Sequence, residues 1–207
     1  MKERAGVRAL NALLVTVAVY LILWQLFTRY FTVPVYYYGR LIEILAVLLF
    51  AVLAMITPMR FEEMGIVVPR RVLFRSLLWG AVLSALFVAF LATLSFLRHG
   101  RILFDAHLTD DVSQVTYFLV APFQEILAKS VMLYSFELVF EKKRPHMAVL
   151  MSSLLFGAFH VVYGIGMMVL AMLLSLVTGE LFLRHRAVWG CALLHFACGF
   201  FSVSFGI

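Results

Sequence analysis

Residues 76–97 read SLLWGAVLSALFVAFLATLSFL, an apolar stretch without a charged side chain. A helix needs about 20 such residues to cross the roughly 30 Å hydrocarbon layer of a bilayer, so this stretch predicts a transmembrane helix. The same reasoning predicts spans near residues 9–27, 41–57, 76–97, 115–140, 147–163, 165–183 and 187–206. The predicted fold is therefore all-α, a polytopic transmembrane helix bundle of about seven spans, with six to eight allowed by the lengths of the stretches. A tight turn is expected at Tyr163-Gly164-Ile165-Gly166, because one helix across both flanking spans would far exceed a bilayer crossing.

The composition supports the same class of protein. Hydrophobic residues make up 64% of the 207 and charged residues 14%, and the mean hydropathy is +1.03. An ordinary soluble domain is about half apolar and a quarter charged. Since so few charges cannot form a soluble surface, lipid is expected to cover most of the outside. The length predicts a single membrane domain over residues 1–207.

The basic residues indicate topology and partner class. Although the formal charge is +6, the Lys and Arg residues form short clusters between the predicted spans, so the expected partner is the lipid bilayer and no nucleic acid. On one side of the seven-span arrangement lie Lys2, Arg4, Arg8, Arg60, Arg70, Arg71, Arg75, Lys142, Lys143, Arg144, Arg184 and Arg186, against Arg29, Arg40, Arg98 and Arg101 on the other. The positive-inside rule then predicts a multi-pass protein with a cytoplasmic N-terminus. The expected location is a prokaryotic cell membrane.

Several polar side chains fall inside the predicted spans, where such groups are costly and usually face the protein interior or a wet cavity. They are Gln124, Glu125 and Lys129 in the fourth span, His160 in the fifth and His195 in the seventh. At 1.5 Å per residue all of them lie within several ångströms of the midplane, so residues 124, 160 and 195 are predicted to line one polar cavity. Glu125 and Lys129 are four residues apart and should form an ion pair. Such a pair is as often a structural feature as part of a functional site.

The other carboxylates near the spans have a simpler interpretation. Glu43 and Glu180 lie near predicted span ends, where they would reach interfacial water or a cation, and Glu137 lies at the cytoplasmic boundary. A lone membrane histidine is more often a packing residue than a catalyst, but two on different helices at similar depth indicate a site. A histidine beside a carboxylate can activate water, and a second histidine can stabilise an oxyanion.

The order of the polar residues carries a family resemblance. Ala121-Pro122-Phe123-Gln124-Glu125 with Lys129 is followed by Phe156-Gly157-Ala158-Phe159-His160, and then by Leu194-His195 with Gly199. This order resembles the CPBP family, the CAAX-protease and bacteriocin-processing (Abi-like) membrane endopeptidases, whose motifs are Glu-Glu-x-x-x-Arg after Ala-Pro, then Phe-x-x-x-His, then His-x-x-x-Asn. The similarity runs from about residue 60 to 200 and implies a catalytic core at residues 115–200.

The resemblance also implies roles for individual residues. In the family, the first glutamate and the histidine of Phe-x-x-x-His are implied to activate water, while the last histidine and the asparagine stabilise the oxyanion. Carried onto this chain, the catalytic positions are Gln124, Glu125, His160 and His195, and the supporting positions are Lys129, Phe156 and Gly199.

Three positions depart from the family pattern. Gln124 replaces the first glutamate, and an amide cannot accept a proton at neutral pH. Lys129 replaces the arginine and lacks its planar guanidinium group. Gly199 replaces the asparagine and has no side chain. Three interpretations follow: a natural non-catalytic relative, an active member in which Glu125 acts as the base, or an introduced Glu→Gln substitution at position 124.

This pattern leads to two hypotheses about function and one about metal binding. The first function is that of a glutamate-type intramembrane endopeptidase, which hydrolyses a peptide bond of a membrane-anchored or prenylated protein with water activated by Glu and His. The alternative is a catalytically silent family member that binds a partner membrane protein or peptide. No cofactor is predicted; zinc held by Glu125, His160 and His195 is the weaker hypothesis, since the ligand chemistry fits but no spacing motif supports it.

Overall fold

The computed structural model describes residues 2–31, 35–57, 62–105 and 112–205, and within these ranges every regular element is a helix. The helices are α1 Lys2–Tyr30, α2 Val35–Ile56, α3 Arg70–His99, α4 Val112–Leu127, α5 Tyr134–Val139, α6 Pro145–Ala158, α7 Ile165–His185 and α8 Trp189–Ser204. A π-helical turn, Ala128–Leu133, joins α4 to α5 without a break, because the residues at both junctions keep right-handed helical backbone angles. With α4 and α5 counted as one, each predicted span corresponds to one helix of the described residues, although α6 ends at Ala158, before the end of the predicted span 147–163. The all-α bundle is confirmed.

The outer surface of the bundle is apolar. Leu97 is 75% exposed, Ile165 73% and Leu119 68%. Among the residues that the structure describes, three helices are long and apolar enough to cross a membrane by length and composition: Ala5–Tyr30, Arg70–His99 and Ile165–His185. Large apolar surfaces of this kind are not stable in water, so lipid covers them and the chain is an integral membrane protein.

Small residues let α3 and α8 pack closely. Ser76, Gly80 and Ser84 recur every four residues on α3 and are all buried. A Cβ on Gly190 of α8 would overlap the carbonyl oxygen of Ser76, and the Gly190 N–H donates a 3.0 Å hydrogen bond to the Ser76 hydroxyl. Membrane helices commonly associate through such small-residue contacts. This contact positions α8, the helix that carries His195.

Helix α6 is short for a membrane span. Its 14 residues extend about 21 Å, beginning directly after the charged segment 142–144. Gly164, with a φ of +99°, then turns the chain into α7, which confirms the predicted tight turn. His160 therefore lies in a non-helical connection between α6 and α7. Such backbone is tolerated at membrane depth where protein surrounds it or where it lines a wet cavity.

We predict that Gly190→Ala lowers the thermal stability of the detergent-purified protein. The added Cβ would overlap the α3 backbone, and overpacking of this kind costs about 1–3 kcal/mol. Gly166→Ala is the matched control, since a Cβ there meets nothing within 4 Å. The apparent melting temperature should fall for Gly190→Ala alone; equal values for the two variants would contradict the close α3–α8 contact.

Candidate active site

Glu125 of α4 is the centre of a buried charged cluster. Its carboxylate is 0% exposed, and Lys129, one turn later, is 1% exposed with Nζ 3.5 Å from Oε2. The other carboxylate oxygen, Oε1, lies 3.0 Å from Nδ1 of His195 on α8. The predicted ion pair is thus confirmed. Glu125 is committed to two partners, which together offset the cost of burying its charge.

Helix α7 contributes hydroxyl groups to this cluster. Thr178 Oγ1 donates to Glu125 Oε1 over 3.4 Å. Lys129 Nζ donates to the carbonyl oxygen of Ser175 at 3.3 Å and to its hydroxyl at 3.5 Å. Ser175 and Thr178 are three apart, so they share a face of α7. The charged cluster therefore connects α4, α7 and α8.

Gln124, the neighbour of Glu125, faces a separate cavity. Consecutive helical residues point about 100° apart, and Gln124 Nε2 donates a 3.0 Å hydrogen bond to Oε1 of Glu43 on α2. The cavity has a volume of about 60 Å³, and its polar lining comes from these two residues, Thr16 and His160. A polar cavity holds a water molecule from roughly 10–15 Å³ upwards, so this one is large enough to admit water.

His160 offers one ring nitrogen as a proton acceptor. Its Nδ1 lies 2.8 Å from the carbonyl oxygen of Phe156, one turn earlier in the chain. Since a carbonyl oxygen only accepts, Nδ1–H donates this bond, and in the neutral ring Nε2 is the unprotonated nitrogen. A neutral imidazole in this tautomer can accept a hydrogen bond or a proton at Nε2.

The ring of Phe156 contacts both histidines. Its centroid lies 4.7 Å from that of His160 and 5.7 Å from that of His195. The prediction of one shared cavity is correct for Gln124 and His160 but wrong for His195, which is 4% exposed and faces Glu125. The reason is that residues 124 and 125 diverge around α4, so that Gln124 lines the cavity while Glu125 contacts His195.

Glu43 lies further from the start of its helix than the predicted span 41–57 implies. Helix α2 begins at Val35, earlier than the predicted span, so Glu43 lies about 12 Å along the helix. Its side chain is half-buried and lines the cavity. Glu180, in contrast, is exposed and lies 2.9 Å from the ring of His146.

Gly199 leaves room for an aromatic side chain from α4. A Cβ at this position would overlap the hydroxyl group and the ring of Tyr117. The Tyr117 ring also lies edge-on to that of His195, with centroids 6.2 Å apart. The phenol thus occupies the space where the family pattern places the asparagine side chain.

The hypothesised zinc ligands do not converge. Within the residues that the structure describes, no three His, Cys, Asp or Glu side chains lie close enough together to hold a metal ion. Glu125 and His195 meet, whereas His160 is bonded through Nδ1 to the carbonyl oxygen of Phe156 and lines the separate cavity. The geometry therefore does not fit the zinc site, and no chemical step is assigned to a metal.

Four side chains were not assigned to this site from the sequence: Ser175, Thr178, Glu43 and Tyr117. The hydroxyl pair Ser175 and Thr178 could have been found from its three-residue spacing in an apolar helix. Glu43 could have been found as an ionisable residue within an apolar stretch. A glycine at position 199 indicates a bulky neighbour, but no sequence signal identifies Tyr117 as that neighbour.

An apolar helical bundle with carboxylates and histidines in its interior defines a polytopic membrane protein with an internal polar site. Residues 112–201 match the family model for the type II CAAX prenyl endopeptidase Rce1-like proteins. Over these residues the chain is similar to the CAAX-protease family, the resemblance that its motifs carry. The matched segment contains the charged cluster, Gln124 and His160, whereas Glu43 lies outside it. Comparisons with curated proteins and with solved structures found no match.

We predict that Lys129→Met destabilises the protein by about 3–5 kcal/mol, since the Glu125 carboxylate would stay buried without its ammonium partner. The double variant Glu125→Gln/Lys129→Met removes both charges and should recover a large part of the loss. Thermal unfolding in detergent measures both changes.

Lys142→Met is the matched control for Lys129→Met. Lys142 pairs with Glu63, but the two side chains are 48% and 40% exposed, and exposed pairs contribute about 1 kcal/mol or less. A double variant no more stable than Lys129→Met would show that the buried charges do not govern stability here.

Proposed function

We propose that this chain is an intramembrane endopeptidase of the CAAX-protease type, with residues 115–200 as its catalytic core. It would hydrolyse a peptide bond near the end of a membrane-anchored or prenylated protein. One observation carries the proposal: a cavity large enough for water is lined both by His160, whose Nε2 can accept a hydrogen bond, and by a carboxylate. A histidine and a carboxylate around one water molecule suffice for general-base activation of that water.

The position of the cavity suits a substrate that arrives from the bilayer. Apart from its few polar groups the lining is apolar, with Leu13, Leu49 and Met132 among its members. A prenyl or acyl anchor gains about 0.8 kcal/mol for each CH₂ group that it buries in lipid. Anchored peptides are therefore concentrated in the layer that surrounds this helical bundle.

His195 is proposed as the oxyanion donor, as the family resemblance implies, and Glu125 as the residue that orients it. The 3.0 Å contact with Glu125 fixes the ring through Nδ1. In the imidazolium form both ring nitrogens donate, so Nε2–H can stabilise the oxyanion while Nδ1–H stays bound to the carboxylate. His195 does not line the cavity that His160 lines, so this role requires side chains of the site to move when a peptide enters.

We predict that the purified protein in liposomes cleaves an internally quenched, farnesylated peptide that ends in a CaaX sequence. His160→Ala should lower kcat by about 10²–10⁴-fold, the usual contribution of a group that activates water. His146→Ala is the matched control, because His146 is an exposed histidine beside Glu180, outside the cavity. Cleavage that survives His160→Ala unchanged would contradict the proposed mechanism.

A second candidate function is that of a non-catalytic family member that binds a membrane protein or peptide. Two observations favour it: position 124 carries an amide, which cannot act as a base, and Glu125 is already paired with Lys129 and His195. Two results together would support it. One defined partner would co-purify in stoichiometric amount with the His160→Ala/His195→Ala double variant, and no form of the protein would cleave the peptide. Cleavage by the unaltered chain would exclude it.

We also propose that the N-terminus is cytoplasmic, in a prokaryotic cell membrane. The clustering of Lys and Arg on one side of the bundle supports this orientation. A membrane-impermeant maleimide should therefore label Lys143→Cys in inverted vesicles only and Arg101→Cys in spheroplasts only. The unaltered chain serves as the blank, because Cys191 is buried and Cys198 is partly buried. The reverse labelling pattern would contradict the orientation.

A further inference from the structure

We infer that Glu43 of α2 is the carboxylate that accepts the proton of the catalytic water, in place of the family's first glutamate at position 124. The inference rests on the proposed endopeptidase function and deepens it. The carboxylate would thus have moved from α4 to a helix outside the segment that matches the family.

The geometry places Glu43 where the displaced carboxylate would act. Its Oε1 lies 3.0 Å from Nε2 of Gln124, so it is one hydrogen bond away from the side-chain end of the family's catalytic position. The same cavity is lined by His160. Among the described residues that line this cavity, Glu43 is the one carboxylate.

Glu125, the other carboxylate of the family motif, cannot take this role in the observed arrangement. It is 0% exposed and does not line the cavity. One of its oxygens contacts His195 and the other lies beside Lys129. Releasing it would leave a buried ammonium group without its partner, at a cost of several kcal/mol.

Gln124 acquires a positioning role in this arrangement. Its amide N–H donates to one carboxylate oxygen of Glu43 and so fixes the direction of the other. A glutamate at position 124 would place two carboxylates in contact, and these would repel each other unless they shared a proton. The amide at 124 and the carboxylate at 43 are therefore complementary.

The hydrolytic step balances with water as the sole co-reactant. One O–H bond of the water breaks as its proton moves to Glu43, and the oxygen forms a bond to the peptide carbonyl carbon. His160 Nε2 accepts a hydrogen bond from the remaining O–H and orients the nucleophile. The C–N bond then breaks, and the proton held by Glu43 passes to the amine nitrogen. The products are a carboxylic acid and an amine, and Glu43 is again a carboxylate.

An exchange of the two side chains tests the inference. Cleavage of the farnesylated CaaX peptide is measured for the unaltered chain, Glu43→Gln, Gln124→Glu and the double variant Glu43→Gln/Gln124→Glu. We expect Glu43→Gln to lower kcat by about 10²–10⁴-fold with KM nearly unchanged. The kcat of the double variant should be at least about tenfold higher than that of Glu43→Gln, because the double variant restores a carboxylate and an amide to the same cavity in exchanged positions.

Glu180→Gln is the matched control, since Glu180 is an exposed carboxylate outside the cavity. Melting temperatures of all variants identify any that do not fold, and rescue by the double variant cannot arise from misfolding. Full activity of Glu43→Gln would overturn the inference and leave the endopeptidase function standing. Activity in Gln124→Glu but not in the unaltered chain would likewise overturn it. Cleavage by none of the four forms would overturn the proposed function itself.

Discussion

The free energy needed to bury two opposite charges constrains the whole interior of this helical bundle. Glu125 and Lys129 are 0% and 1% exposed, and either charge alone would cost several kcal/mol inside a membrane protein. Their pairing requires further donors and acceptors, which Ser175 brings from α7 and His195 from α8. Lys129 also lies within the π-helical turn between α4 and α5, a distortion that is frequent at functional sites. Three helices are thus held around one ion pair.

The same pairing decides which groups remain for chemistry. Because Glu125 faces the charged cluster, Gln124 faces α2, where it meets Glu43 in the cavity that His160 lines. Two adjacent residues of one helix therefore serve two electrostatic environments, one closed by packed side chains and one large enough for water. Phe156 contacts a histidine in each environment.

Features that depend on local sequence could be predicted, and features that depend on tertiary packing could not. The spans follow from the lengths of the apolar stretches, and the Glu125–Lys129 pair follows from their spacing of one helical turn. The cavity prediction failed for His195 because depth in the membrane fixes only one coordinate, and rotation around each helix axis decides which side chains meet. The contact of Glu43 with Gln124 could not be predicted for a related reason, since it depends on how α2 packs against α4.

The central claim is that neighbouring residues of α4 serve two different histidines. Nitrogen-15 NMR of histidine-labelled protein in lipid nanodiscs tests it directly, with the imidazole signals assigned from His160→Gln and His195→Gln spectra. Glu125→Gln should shift the ring nitrogens of His195, whose Nδ1 contacts that carboxylate, and leave those of His160 in place. Glu43→Gln should shift the signals of His160 alone. A spectrum in which Glu125→Gln shifts His160, or in which both histidines respond to both substitutions, would contradict the account.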